Sequence, residues 1–210
     1  MLSEVSLQDI AGAYERGARA WSSGPDGSYR RFAEALVAAA PSPLAGAHVL
    51  DVGAGTGAVS VVLNRAGVRV TATDSSSEML RLARESVPGL ETAVADAARQ
   101  PFDDNVFDGA ASGFCINHLP EPHLMLAECA RVVRPSGFIL ASTFAGGDDH
   151  PAKVCVEQVA RDWGWEPPAW EADFRSWSSL TDSADGLASV ARVAGLDSIA
   201  IRTVVVNTGP

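Results

Sequence analysis

Residues 49–58 read Val49-Leu50-Asp51-Val52-Gly53-Ala54-Gly55-Thr56-Gly57-Ala58, an apolar run that passes into glycines and then into helical spacing. Glycines at such a junction let main chain approach a ligand closely, and the free N–H groups of the helix start attract its polar or anionic part. Gly53-x-Gly55-x-x-Ala58, with the acidic Asp74 ending the next apolar run, is the spacing that holds a dinucleotide, the acid accepting from ribose hydroxyls. Glycines serving only a tight turn would look the same, so neighbouring residues must discriminate. Asp51 lies inside the glycine segment, where a carboxylate repels a pyrophosphate but tolerates an amino or sulfonium group. Asp96, in Val94-Ala95-Asp96-Ala97, ends a third run and is placed to accept from the exocyclic amine of adenine. His118, in Cys115-Ile116-Asn117-His118-Leu119, follows a fourth run. As a neutral imidazole it could take a proton from a hydroxyl substrate, or it could simply hydrogen-bond cofactor or main chain.

These groups need elements to hold them. Ile10, Tyr14, Ala18 and Trp21 fall at helical spacing, and Tyr29, Phe32, Ala33, Leu36, Val37 and Ala40 repeat it after the turn Ser23-Gly24-Pro25-Asp26-Gly27, so two helices open the chain. Pro41-Ser42-Pro43 ends the second. Strands are expected over 48–52, 69–73, 92–95, 107–112, 138–143 and 199–206. Between them, Val59, Val62, Leu63 and Ala66 mark a helix face, and Ser75-Ser76-Ser77-Glu78 offers a capping box before Met79, Leu82 and Ala83. A helix over 122–133 should carry Leu124, Ala127 and Val132 inward, and Leu187, Val190, Ala191 and Ala194 mark a last one closed by Gly195. Such alternation specifies an α/β fold, a mostly parallel sheet doubly wound with helices on both faces. Residues 145–183 break the rhythm and hold Trp163, Trp165, Trp170, Phe174 and Trp177, with a helix over 151–163 and an extended break at Pro167-Pro168. The stretch reads as an insertion over one sheet edge, its tryptophans forming a lid core or, for at least one of them, touching substrate. One domain over 1–210 follows, with N-terminal helices over 1–43, a cofactor-binding core over 44–144, a substrate-side insertion over 145–183, and a last helix and strand over 184–210.

Two further segments complete the set: Gln100-Pro101-Phe102-Asp103-Asp104-Asn105-Val106-Phe107-Asp108, and Leu126-Ala127-Glu128-Cys129-Ala130-Arg131-Val132-Val133-Arg134-Pro135-Ser136-Gly137-Phe138. In order and spacing, residues 48–143 resemble the class I S-adenosylmethionine-dependent methyltransferases, within them the small-molecule branch that includes ubiquinone and menaquinone biosynthesis methyltransferases. The resemblance implies a Rossmann-like sheet and S-adenosylmethionine as cofactor, with S-adenosylhomocysteine as product. It implies that Gly53, Ala54 and Gly55 pack against the cofactor beside Asp51, that Asp74 binds both ribose hydroxyls, that Ser75 belongs to the cofactor site, that Met79 covers an adenine face, and that Asp96 with the Ala97 amide reads the adenine edge. Main chain around Gly113 and Phe114 would contact the methionine moiety, and Tyr14 would either cap its end through the hydroxyl or pack in the core. The implied activity is methyl transfer to a small-molecule acceptor by in-line displacement at the sulfonium methyl, with His118 as the base for a hydroxyl acceptor. A fold member that binds the cofactor without transferring methyl, a cyclase or structural subunit, would carry the same motifs. A nicotinamide dehydrogenase has only the glycine spacing in its favour and Asp51 and Asp96 against it. Arg134-Pro135-Ser136-Gly137 stands where the family has Pro-Gly-Gly, one glycine sufficing for the bend. The family's seventh strand, antiparallel between the fifth and sixth, is missing, since the sequence reaches Thr208-Gly209-Pro210 just after the sixth. Either the sixth strand moves in beside the fifth, or a second copy covers the open edge as a homodimer.

Composition bounds the partners. Sixteen basic against 26 acidic side chains leave a net charge of −10, which would repel a nucleic-acid backbone. With 47% hydrophobic residues and mean hydropathy +0.08, the chain is neither disordered nor membrane-embedded, and no apolar run approaches the roughly 18 residues of a spanning helix. Met1-Leu2-Ser3-Glu4-Val5 lacks a basic region followed by an apolar run, and Cys115, Cys129 and Cys155 form no Cys-x-x-Cys pair, so a reduced, cytoplasmic chain without zinc is expected. Asp103, Asp104 and Asp108 read as a solvated loop rather than a metal site, and His48, His123 and His150 as solvated. Surface scaling gives about 9,300 Å² of exposed area for a folded chain of this mass.

Overall fold

Val49 and Asp51 turn to one face of a five-residue strand, β1 (His48–Val52), while Leu50 and Val52 turn to the other, and all four are buried. A strand buried on both sides must lie in the middle of a sheet covered by helices. The computed structural model describes residues 4–24, 26–41, 43–147 and 151–207, with the side chains of 4–8, 26 and 151–153 left aside. It shows that sheet: β3 (Glu91–Val94), β2 (Arg69–Asp74), β1, β4 (Phe107–Gly113) and β5 (Val133–Ser142), in that order and all parallel. Chain order reverses between β1 and β4, so the carboxyl ends of these two strands open the crevice where ligands settle in doubly wound folds.

Helices α3 (Ala58–Arg65), α4 (Ser77–Ser86) and α5 (Pro122–Val132) connect the strands, and α1 (Glu4–Ser23) and α2 (Asp26–Val37) precede them. On one face Val49, Ala72 and Ala111 meet Val61, Leu63, Leu80 and Ala83, with Ala33 and Val37 of α2 closing over α3. On the other, Leu50, Val52 and Ala110 meet Met125, Leu126, Cys129 and Val132, joined by Ala191 of α8 (Ala184–Val193). Helix α1 rests on α4, where Ala18 packs with Met79 and Leu82 and with the rings of Tyr14 and Trp21.

Several local readings shift by a residue or a face. In α3 the buried side chains are Val59, Ser60, Val61 and Leu63, and Ala66 is left outside the helix and exposed. The cap of α4 is Ser76 rather than Ser75, its hydroxyl accepting from Met79 N at 3.1 Å, because Ser75 is still spent on the turn out of β2. Leu124 faces solvent at the start of α5. His48 is half-buried rather than solvated: its Nε2 lies 2.9 Å from Thr71 Oγ1 and its ring 4.6 Å from that of Phe107, and His150 and the turn residues Pro25 and Ser42 lie outside the described residues. Strand β5 begins at Val133, earlier than expected, and residues 134–137 loop out between the pairs Phe107↔Val133 and Gly109↔Phe138. The left-handed bend there falls on Ser136 (φ 68°), while Gly137 serves close approach, since a Cβ on it would run into Val133 and Asp108 O. Asp108 fastens the bulge by pairing with Arg134 Nη1 at 2.8 Å and accepting from His48 N at 2.8 Å.

The expected sixth strand does not form. Residues 197–207 run as irregular chain in which Ile199 touches the second core while Val204 and Val205 stand exposed. A β-prone run needs a ladder partner, and this one has none among the described residues. The outer edge of β5 is unpaired among the described residues, the geometry a second copy would use. Within 145–183, α6 (Pro151–Asp162) matches the expected helix, whereas α7 (Glu171–Ser178) was not foreseen and packs on the 3-10 turn Ile116–His118. The accessible surface, 11696 Å², is about a quarter above the scaling value. Exposed Val154, Val156, Val159 and Trp163 of the α6 region and Val204 and Val205 show where the excess lies. Among the described residues no helix is long and apolar enough to cross a membrane.

Leu50→Ala removes a side chain that is fully buried in the central strand, and should lower the unfolding free energy by about 2–5 kcal/mol. Urea unfolding would show a lower midpoint at an unchanged slope; an unmoved midpoint would contradict this account of the core.

Candidate functional site

A cavity of about 680 Å³ opens at the carboxyl ends of the strands. Tyr14, Asp51, Gly53, Ala54, Gly55, Asp74, Ser75, Met79, Asp96, Ala97, Gly113, Phe114 and His118, the residues singled out from the sequence, all line it.

The floor is the turn between β1 and α3. Gly53 sits at φ 66° with Cys115 pressed against it, where a Cβ would lie 2.5 Å from Cys115 Sγ, so both its dihedral angle and its space demand glycine. Asp74, at the end of β2, holds the turn in place: Oδ2 accepts from Gly55 N and Oδ1 from Ser76 N, both at 2.8 Å. One carboxylate therefore joins the glycine loop to the start of α4. Each oxygen keeps a lone pair for a ligand hydroxyl. Burial raises the Asp74 pKa, and the hydrogen bonds from main chain oppose the rise.

Asp51 is fully buried beneath this floor. Its Oδ2 accepts from Ser60 Oγ at 2.6 Å, and its Oδ1 has no partner among the described residues. Burial pushes its pKa up to about 7, the Ser60 hydrogen bonds resisting. No lysine or arginine stands among the lining residues, whereas Asp51, Asp74, Asp96 and Glu121 do. Asp96 lies at the exposed rim with Oδ1 accepting from Ala98 N at 2.9 Å, which stiffens the turn that presents Ala97.

The roof comes from α1. Tyr14 stands 3.4 Å through its hydroxyl from His118 Nε2, and burial raises its pKa. Glu15, one residue on, reaches the start of α4 and accepts from Ser76 Oγ at 2.5 Å, Ser77 Oγ at 3.0 Å and Glu78 N at 3.3 Å. His118 is enclosed by the Tyr14 ring at 5.4 Å and the Phe174 ring of α7 at 4.8 Å. Burial lowers its pKa to about 4, and its Nδ1 lacks a partner among the described residues. Phe114 adopts a left-handed φ of 58°, unusual for a bulky residue, and its ring lies 5.2 Å from that of Tyr29 and 4.3 Å from that of Phe144.

The lining aromatic residues are Tyr14, Trp21, Tyr29 and Phe114. None of the insertion's tryptophans lines the cavity: Trp177 is buried in packing and Trp163 is 87% exposed. Their clustering in sequence reflects a separate helical layer that reaches toward the site through Phe174 on the His118 ring and through Ser178 Oγ, which donates to Asn117 O at 3.1 Å. Sequence reasoning also passed over Cys115, Glu121 and Ser142, for which only proximity to strand ends was available as a signal.

A family profile described as methyltransferase domain matches residues 50–141. The demethylmenaquinone methyltransferase of Clavibacter sepedonicus is 35% identical over 142 residues, covering 66% of this chain and 56% of that protein. With three curated relatives of this group the match spans between 54% and 57% of the relative, little more than half its length. The demethylmenaquinone methyltransferase of Thermobifida fusca is 32% identical over 189 residues, covering 84% of this chain and 79% of that protein. A solved S-adenosylmethionine-dependent methyltransferase from Thermotoga maritima shares the fold with a TM-score of 0.62 at 18% identity, over 89% of this chain and 81% of that one. Extended similarity to curated methyltransferases and the parallel sheet common to the solved one lead to the same assignment: the chain belongs to the class I S-adenosylmethionine-dependent methyltransferases.

Proposed function

We propose that the chain transfers a methyl group from S-adenosylmethionine to a small-molecule acceptor. The observation that carries this is Asp51 Oδ1, a buried carboxylate oxygen without a partner among the described residues, at the base of a cavity lined by acids and by no lysine or arginine. A ligand bearing an ammonium and a sulfonium group supplies what that site lacks, and a pyrophosphate does not. The curated relatives' names point to the same chemistry.

In this reading Asp51 takes the ammonium end, Asp74 the ribose hydroxyls and Asp96 with Ala97 the adenine edge, while Met79 and Ser75 flank the nucleoside. Ala54, Gly55 and the Gly113–Phe114 main chain bring backbone against it. Bound S-adenosylmethionine supplies an electrophilic methyl group. His118 stays neutral above about pH 5, so it can receive a hydroxyl proton of the acceptor, with Tyr14 holding its other nitrogen in place. Tyr14 and Phe174 keep water from the imidazole, which favours alignment over strong basicity.

Asp51 links cofactor binding to pH. Its pKa is raised on folding, so the empty protein loses stability as pH climbs from about 4 through 7, where the unfolded chain has already released the proton. A cationic ligand would ionise it, so binding at or below pH 7 should release a proton and affinity should rise toward pH 8. Calorimetry in buffers of different ionisation enthalpy measures that proton; none released, with affinity flat in pH, would remove Asp51 from the ligand. Asp51→Asn should stabilise the empty protein at pH 8 by about 1–3 kcal/mol while weakening S-adenosylhomocysteine binding. Thermal melts with and without ligand read both effects, and stabilisation without weakened binding would count against the assignment.

Asp74→Ala should weaken S-adenosylhomocysteine binding by roughly 1.5–3 kcal/mol or more, because it removes a charge-assisted acceptor and also frees the Gly55 and Ser76 amides. Unchanged affinity in calorimetry would refute it. His118→Ala should lower kcat by about 10²-fold, toward the weak end for a general base because its pKa is low, with cofactor affinity nearly intact. Turnover with labelled S-adenosylmethionine tests this, and unaltered kcat between pH 6 and 9 would exclude His118 from proton transfer.

A further inference from the structure

After β3 the chain makes a tight turn whose first residues, Asp96 and Ala97, line the cavity. One buried side chain holds that turn from behind. Gln100, 4% exposed, donates through Nε2 to Asp96 O at 3.0 Å and, at the longer distance of 3.4 Å, to Ala97 O. Both of these partners are carbonyl oxygens, so only the nitrogen of the amide can face them. Its Oε1 has no partner among the described residues, a cost that an apolar side chain of the same length would avoid. What the glutamine adds is therefore its nitrogen. Gln100 is in turn clamped from α5: its N donates to Glu128 Oε2 at 2.8 Å and its O accepts from Arg131 Nη2 at 3.1 Å. Arg131 and Glu128 are joined to each other by hydrogen bonds of 2.7 and 2.8 Å.

The carbonyl of Asp96 and the N–H of Ala97 belong to one planar peptide unit and point in opposite directions. That carbonyl accepts from Arg99 N at 2.9 Å as well as from Gln100, and neither residue lines the cavity, so the N–H is turned the other way. Two donors on the carbonyl also strengthen the N–H of the same unit as a donor. A 6-amino purine offers a donor, its amine, to the Asp96 carboxylate and an acceptor, N1, to the Ala97 N–H. A 6-oxo purine offers the reverse. It would fit only if the peptide turned over to present its carbonyl, which breaks the bonds from Gln100 and Arg99. We propose that Gln100 is a positioning residue for nucleobase selectivity: by pinning the Asp96–Ala97 peptide it makes the site admit 6-amino purines and refuse 6-oxo purines. The inference rests on the assignment of Asp96 and Ala97 to the adenine edge under the methyl-transfer reading.

The test needs no turnover. Calorimetry at one neutral pH compares S-adenosylhomocysteine with S-inosylhomocysteine, two ligands that differ only in presenting a 6-amino or a 6-oxo purine. The wild-type chain is expected to prefer the adenosyl ligand by about a hundredfold or more. Gln100→Met keeps the length of the side chain and removes its donor. It should weaken S-adenosylhomocysteine by about five- to tenfold and leave S-inosylhomocysteine unchanged or tighter, so that the preference shrinks. Undiminished affinity for the inosyl ligand also reports that the variant is folded, and Gln100→Leu provides the same comparison should the first variant not fold. A variant that keeps the full preference, or one that weakens both ligands by the same factor as a loosened fold would, overturns the proposal. A wild-type chain that binds both ligands equally overturns it too, and takes Asp96 and Ala97 away from the adenine edge while leaving methyl transfer standing. A wild-type chain that binds neither overturns both readings.

Discussion

Much of the molecule's ligand side hangs on one carboxylate. Asp74 touches both the glycine turn and the cap residue of α4, one oxygen on each. Through Gly55 it sets the floor of the cavity, and through Ser76 it sets the angle at which α4 leaves the sheet. The α4 start in turn carries Met79, whose side chain packs under α1, and the hydroxyls that receive Glu15. Floor, wall and roof are thus positioned from a single point at the end of β2. A carboxylate can do this because it accepts several hydrogen bonds at once, and the main-chain amides it collects offset part of the cost of burying it.

The same crowding of acids gives the empty cavity its electrostatic character. Burial raises the pKa of both Asp51 and Asp74, and a neighbour of like charge adds to it, Asp74 for Asp51 and Glu15 for Asp74. Several acids on the surface are matched: Glu128 and Asp104 share Arg131, Glu91 takes Arg69, and Asp108 takes Arg134. Within the cavity lining no such match exists. The contrast between paired acids on the surface and unmatched acids in the crevice is what a site shaped for a cationic ligand would show, at the expense of stability in its absence.

The portion of the site that could be read in the sequence is the portion built locally. Asp51, Gly53, Gly55 and Asp74 sit on two consecutive strand-to-helix turns, where spacing alone sets their relation, and His118 follows its strand by only a few residues. Where a residue's role depends on a distant partner, the reading faltered. The run 199–206 has strand composition but no neighbour to pair with, so propensity predicted an element that packing does not support. Ser136 bends the chain although Gly137 stood beside it, because Gly137 is needed for its lack of a side chain against Val133 and Asp108. Tryptophans concentrated in 163–177 suggested a pocket wall, yet the wall is made by Trp21, Tyr29 and Phe114 from three separate segments, and only the folded chain brings these together. Ser142 was invisible for the same reason: nothing in its neighbours in sequence distinguishes a strand-end serine with a free hydroxyl from one that is satisfied.

The Glu15 contacts at the head of α4 have a consequence for the cadence of the molecule. Helix α1 supplies Ile10, Ala11 and Tyr14 to the cavity, while α4 supplies Met79, so a molecule lodged there bridges two helices that also meet through Ala18 and its apolar neighbours, the Glu15 carboxylate and the Arg19–Glu78 ion pair. Whatever strengthens the docking of α1 in the occupied molecule must tighten the lodger's equilibrium hold by the same factor, and the lodger must favour docked α1 in return. Amides along α1 would then exchange with solvent deuterium more slowly in proportion to occupancy.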